Sequence, residues 1–130
     1  MTDEMGIFKT RVGVESPLAR GQVSYIDDVM VDTGSELSWF PASLLESLGI
    51  RRERSFRFRM ANGSIIARDI GYAIVHAGGG ATIDDVVFAD SGDLPLLGAR
   101  SIEGLNFKVD LANKRFLNAG PIVVAEVVPA

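Results

Sequence analysis

An aspartate at the end of an apolar run is the residue of this chain best placed for chemistry. Val29-Met30-Val31 reads as the end of a buried strand, and Asp32-Thr33-Gly34-Ser35 follows at once. A buried carboxylate is costly to ionise, so a strand seldom aims one out of an apolar run without a reason. The neighbours suit such a group. Thr33 and Ser35 carry hydroxyl donors, and Gly34 lets the backbone bend until its N–H reaches a carboxylate. Held by several donors, a carboxylate is oriented and stays charged even when poorly solvated. It could then act as a general base on water. An ordinary turn, in which Asp caps the backbone and Gly takes positive φ, is the plain alternative. An aspartyl-phosphate nucleophile is another, but that chemistry wants Mg²⁺ ligands at the loop and an alternating α/β pattern. Neither is evident.

Other site chemistries are restricted by composition. The chain has no cysteine, which removes disulfides, thiol nucleophiles and thiolate metal sites. His76 is the single histidine, inside the strand-like YAIVHA, and reads as structural or solvated. No metal and no cofactor is expected. The net charge of -4 argues against a nucleic-acid partner. The basic run RRERSFRFR at 51–59 alternates Phe56 and Phe58 against Arg57 and Arg59, as a strand with one solvated face would. Asn62-Gly63-Ser64 fits a glycosylation pattern but is explained by a turn. The N-terminal MTDEMGIFKT is acidic where a signal peptide is basic, and no run approaches the ~20 apolar residues of a membrane span. A soluble, cytoplasmic protein is expected.

The elements that must position Asp32 are mostly short strands. At 130 residues, 47% of them apolar, the chain is expected to form one domain over 1–130 with a real core. FKTRVGV at 8–14 reads as a strand and QVSYIDDVMV at 22–31 as one strand or two, the second case with a turn at Asp27-Asp28. Trp39-Phe40 follows the Asp32 loop and reads as core against the next helix, or as a pocket wall. In PASLLESLG, Pro41 suits the first helical position, Gly49 the residue after the last, and the leucines share a face. Asn62-Gly63 signals a tight hairpin between Phe56–Met60 and Ser64–Ala67, the latter reaching Ile74 beyond a kink at Gly71. Gly78-Gly79-Gly80 turns YAIVHA into ATIDDVVFA. SGDLP is a loop, SIEGL one helical turn, and residues 107–117 a last hairpin. PIVVAEVV reads as a C-terminal strand. Strands at near-regular spacing with two marginal helices predict an all-β barrel or sandwich.

Together these residues resemble a known family. Val31-Asp32-Thr33-Gly34-Ser35 resembles the active-site loop of aspartic peptidases. Leu96-Leu97-Gly98 resembles that fold's second signature, and Met60 to Ile66 sits where the family has its flap hairpin. The order of motifs spans nearly the whole chain and is similar to the retropepsin-like group, including its single-domain bacterial members. The resemblance implies a closed or partly open acid-protease barrel in a symmetric homodimer. It implies an endopeptidase acting on a peptide or protein substrate.

Hydrolysis by that route needs one carboxylate as base and one as acid, and two carboxylates ~3 Å apart share a proton. This chain has one Asp-Thr-Gly. Asp69, Asp84, Asp85 and Asp110 are not followed by Thr/Ser-Gly; Asp90 is, by Ser91-Gly92, at the start of the stretch read as a loop. The resemblance to the retropepsin-like group, with one Asp-Thr-Gly per chain, implies that Asp32 of a second copy completes the dyad at a two-fold axis. By the same resemblance Thr33 bonds across the axis and Gly34 N–H orients the carboxylate, with Ser35 supporting the loop. Glu36 holds substrate backbone unless it is a solvated loop acid, Asn62 and Gly63 form the flap tip, and Leu94 and Leu96 line substrate pockets unless they are ordinary core. The early strand GIFKTRV and the PIVVAEVV tail are candidates for an inter-subunit sheet. A silent β-domain of the same fold, used for dimerisation or peptide binding, is the competing reading.

Overall fold

The structure is a computed structural model and describes residues 7–125. It is mostly β with two short helices, as the spacing of apolar runs predicts. Nine strands are present among the described residues: β1 (Lys9–Glu15), β2 (Val23–Val31), β3 (Ser38–Pro41), β4 (Arg54–Arg59), β5 (Ile65–Ala77), β6 (Gly80–Ala89), β7 (Leu96–Leu97), β8 (Phe107–Asp110) and β9 (Arg115–Asn118). The helices are α1 (Ala42–Ser47) and α2 (Ala99–Gly104).

Seven strands form one sheet in the order β1-β2-β7-β3-β6-β5-β4, and β1 also pairs with β5 through Gly13↔His76 to Glu15↔Ile74. That last pairing closes six strands into a barrel and leaves β4 attached outside it. Inward-facing residues fill the barrel. Val12, Val14, Val29, Phe40, Val75, Val86, Phe88 and Leu97 have at most 0% of their surface exposed. A second cluster of Leu37, Trp39, Ile70, Val87 and Ala89 lies under the β4–β5 hairpin, with Phe58, Ile66 and Leu96 packed on it. The β8–β9 hairpin covers one end, where Phe116 stacks on Phe107 at 5.0 Å and tilts against Phe8 at 4.9 Å.

Several expectations shift in detail. Asp27-Asp28 is not a turn. β2 runs through it, and the pair lies opposite Arg11 alone in a β-bulge, with Asp28 at φ 57° absorbing the extra residue. β5 is one strand of 13 residues across Gly71, where a Cβ would stand 2.5 Å from the Arg51 carbonyl oxygen. The glycine admits a close approach there, without breaking the strand. Pro41 ends β3 and caps α1 from outside, one residue before the first helical position; Gly49 follows the helix at φ 76°, as expected. The hairpin at Asn62-Gly63 is a three-residue loop. Gly63 N–H donates to the Met60 carbonyl, and only Gly63 has positive φ, so this is a turn with a glycine bulge. Gly78 and Gly79, at φ 58° and 84°, make the tight two-residue turn between Ala77 and Gly80. Residues 121–125 are not a strand, and the rest of PIVVAEVV lies outside the described residues, as does Gly6 of GIFKTRV.

Candidate active site

Asp32 stands where β2 leaves the barrel. Val31 N–H donates to the Phe8 carbonyl at 2.8 Å and Asp32 N–H to the Leu97 carbonyl at 2.9 Å, so the strand end is held from both sides. The chain then turns sharply, with Ser35 N–H donating to the Asp32 carbonyl at 3.2 Å. Inside this turn Gly34 N–H donates to Asp32 Oδ1 at 2.9 Å. A Cβ on Gly34 would lie 3.2 Å from that oxygen, which is why the glycine suits the position. Asp32 is half-buried and Thr33 is exposed at the turn. The Ser35 hydroxyl is expected on the carboxylate but donates instead to the Leu37 carbonyl at 2.8 Å. It stiffens the loop downstream of the acid.

The loop is stitched to the segment that follows β7. Ala99 N–H donates to the Ser35 carbonyl at 2.7 Å and Arg100 N–H to the Glu36 carbonyl at 3.1 Å. Between them Gly98 presses on the loop so closely that a Cβ would meet the Leu37 carbonyl oxygen at 2.4 Å. Gly98 N–H donates to Ser38 Oγ at 3.0 Å; Ser38 contacts Ser101 Oγ at 2.6 Å, and Ser101 donates to Asp84 Oδ2 at 3.0 Å. Both serines are fully buried. Because Ser101 gives its proton to Asp84, Ser38 gives its own to Ser101, and the chain of donors runs one way from Gly98 to the carboxylate. Burial pushes the Asp84 carboxyl above the ordinary range, against the opposing pull of the Ser101 hydroxyl.

An open groove of about 740 Å³ runs past this loop. Asp32, Gly34, Ser35 and Glu36 line one part of it. Met30, Trp39, Phe58, Met60, Leu94 and Leu96 supply apolar wall. The structure thus brings together Asp32, Gly34, Ser35, Glu36, Leu94 and Leu96 from the sequence-derived set. Thr33, Asn62 and Gly63 are not among the lining residues; Phe58 to Ala61 of the hairpin line the groove in place of its tip. Asn62 instead accepts from Ser64 N–H at 2.9 Å and shapes the turn. Leu94 is 66% exposed, so it is not core, whereas Leu96 is shared between groove and core. Trp39 is core and wall at once, 5.1 Å from the Phe58 ring. The groove holds three acids. Glu36 is paired with Arg100 Nε at 3.1 Å, and Asp93 with Arg68 Nε at 2.8 Å. Asp32 alone of the three has no ion pair among the described residues.

Away from the groove, His76 bonds Glu15 Oε1 at 2.8 Å. Glu15 is buried and also holds Gly21 N–H and Arg20. The Gly21 N–H first, then His76 and Arg20, draw its carboxyl down to about 2. This anchors the end of β1, and the histidine is structural. No group of three or more metal-ligating side chains occurs among the described residues. Among them no helix is long and apolar enough to cross a membrane.

No protein-family model matches the chain. No curated protein matches it either. Among solved structures it is similar in fold to the solution structure of simian foamy virus (mac) protease, with a TM-score of 0.48 and 16% identity over 72% of this chain and 92% of that one.

Proposed function

We propose that the chain is the subunit of an aspartic endopeptidase. The observation that carries the reading is Asp32: a carboxylate oriented by Gly34 N–H at the wall of a groove whose other two acids are already engaged by arginines. Water activation needs a second carboxyl group, and a second copy of the same loop supplies it. The active unit is then a symmetric homodimer with one site at its axis. In this reading Thr33, exposed at the turn, bonds the other copy's loop.

In the dyad one carboxylate takes a proton from water as the water oxygen attacks the peptide carbonyl carbon. The other carboxyl gives its proton to the carbonyl oxygen. Collapse of the tetrahedral intermediate breaks the C–N bond, and the amine leaves with a proton returned by the dyad. No metal or cofactor takes part. An extended peptide lies in the groove, with Glu36 near its backbone. Met30, Trp39, Leu94 and Leu96 favour apolar side chains beside the cut. Asn62 and Gly63 end the arm that covers it.

The test compares wild type with Asp32→Asn on denatured proteins between about pH 4 and 7. New peptide ends are read by mass spectrometry beside the mass in solution. Cleavage that tracks the dimer and vanishes in Asp32→Asn is expected. Cleavage surviving the substitution overturns the reading, and no cleavage by a verified dimer leaves a silent β-domain in its place.

A further inference from the structure

One side chain joins the hairpin arm to another wall of the groove. From Arg59↔Ile65 to Ser55↔Asp69 the two strands of the arm pair with each other, and pairing of β5 with β6 starts only at Ile70. A two-stranded ribbon is marginal by itself. At its root Arg68 reaches the turn after β6. Nε donates to Asp93 Oδ2 at 2.8 Å and Nη2 to Asp93 Oδ1 at 3.1 Å, while Nη1 lies 3.4 Å from Asp90 Oδ2 and donates to the Ala67 carbonyl at 2.8 Å. The Arg68 and Asp93 side chains are only 16% and 15% exposed. Asp93 Oδ2 also accepts Asp90 N–H at 2.7 Å, which closes the turn. Gly92, Asp93 and Leu94 line the groove, as do Phe58 to Ala61 from the arm.

We propose that Arg68 and Asp93 are a positioning pair whose two-pronged contact fixes the arm against the Leu94 wall and so sets the width of the groove that receives the peptide. A forked guanidinium–carboxylate contact fixes direction as well as distance, which a lysine or an apolar contact does not. The Arg68 guanidinium holds the Asp93 carboxyl below the ordinary range, and Asp93 holds the guanidinium above its own. The pair therefore stays charged across the neutral range. The link to substrate rests on the peptidase reading; the mechanical link does not.

Amide hydrogen exchange on the full chain tests the mechanical part, using Arg68→Met, Asp93→Asn and the double variant. The Met60 amide, bonded to Ser64 across the loop, is expected to exchange about tenfold faster in each single variant, and no faster in the double. Amides between β1 and β2 stay at their wild-type rates. Arg68→Lys keeps the charge without the fork, falls between, and carries the test if Arg68→Met does not fold. Unchanged arm exchange, additive effects, or acceleration throughout the barrel overturns the pair. On a peptide with apolar residues beside the cut, KM rises about tenfold and kcat stays within about twofold. A fall confined to kcat overturns the groove-width role. Expected exchange without cleavage by any variant, wild type included, supports the mechanical pair and overturns the peptidase reading.

Discussion

Gly98→Ala is expected to be the most damaging single methyl group that can be added near the site. Gly98 has φ -93° and ψ 176°, a backbone geometry open to any residue. The cost is therefore steric alone. Its Cβ would stand 2.4 Å from the Leu37 carbonyl oxygen, 2.5 Å from that carbonyl carbon and 2.9 Å from the Ser35 oxygen. All three are backbone atoms of the loop that carries Asp32, so no side chain can swing aside. Overpacking of this kind costs ~1–3 kcal/mol. Separating the two segments also weakens the bonds from Asp32 N–H to Leu97, Ala99 N–H to Ser35 and Gly98 N–H to Ser38, each worth ~1 kcal/mol. A total near ~3 kcal/mol, with an unfolding entropy of ~0.27 kcal/mol/K for a chain of this length, lowers Tm by ~11 °C. Gly92→Ala is the control. Gly92 has φ 94° and nothing within 4 Å of its Cβ direction, so only the left-handed backbone is penalised, by ~1–2 kcal/mol or ~4–7 °C. Scanning calorimetry of the two variants separates the cases. A Gly98→Ala melting temperature within about 2 °C of wild type, or above that of Gly92→Ala, refutes the close-approach account.

Two expectations concern pH. Glu15 is drawn down to about 2, so its contacts stabilise the fold fully above the ordinary value of 4.5 and that stability is lost as pH falls toward 2. Glu15→Gln should lower Tm at neutral pH, with the gap from wild type closing over that window; a gap independent of pH refutes the charge-based anchor. Asp84 has the opposite sign. Its carboxyl is raised by burial, so the ionised form is penalised and wild type regains stability as pH falls through the raised value toward 3.8. In Asp84→Asn the amide oxygen can serve Asp85 N–H while the nitrogen donates to Ser101; one hydroxyl of the Ser38–Ser101 pair then loses its acceptor, a cost offset by removal of the penalised charge. Melting at neutral pH is expected to be unchanged or raised by up to about 3 °C, and a drop of that size shows that the charge itself is needed.

What the sequence reveals here is local. Gly78-Gly79, Gly49 after α1 and the turn at Asp32–Ser35 are legible because a few adjacent residues set their backbone geometry. The long apolar runs reveal most strands for the same reason. The bulge at Asp27-Asp28 looks like a turn in sequence, because acids that tolerate positive φ suit both; only the presence of Arg11 across the ladder decides. Likewise Asn62-Gly63 specifies a hairpin but not its loop length, which follows from the register of Arg59 on Ile65. The ion pairs are hidden for a different reason. Arg68 with Asp93, Glu15 with His76, and the serine chain from Gly98 to Asp84 link residues far apart in the chain, and nothing local marks either end. Phe58 and Met60 as groove wall are hidden too, since alternation shows that a face exists and not what it meets.

The bond from Asp32 N–H to the Leu97 carbonyl has a temporal consequence. The loop that orients the acid and the segment that braces it are separated along the chain by the whole of β3 to β6. Contacts so distant along the chain form late, because the intervening segments must be ordered before loop closure is rewarded. A chain still emerging from the ribosome holds Asp32 without its brace until residues 97–100 have been added. The Asp32 loop thus gains its brace only after the strands between it and Leu97 have been made.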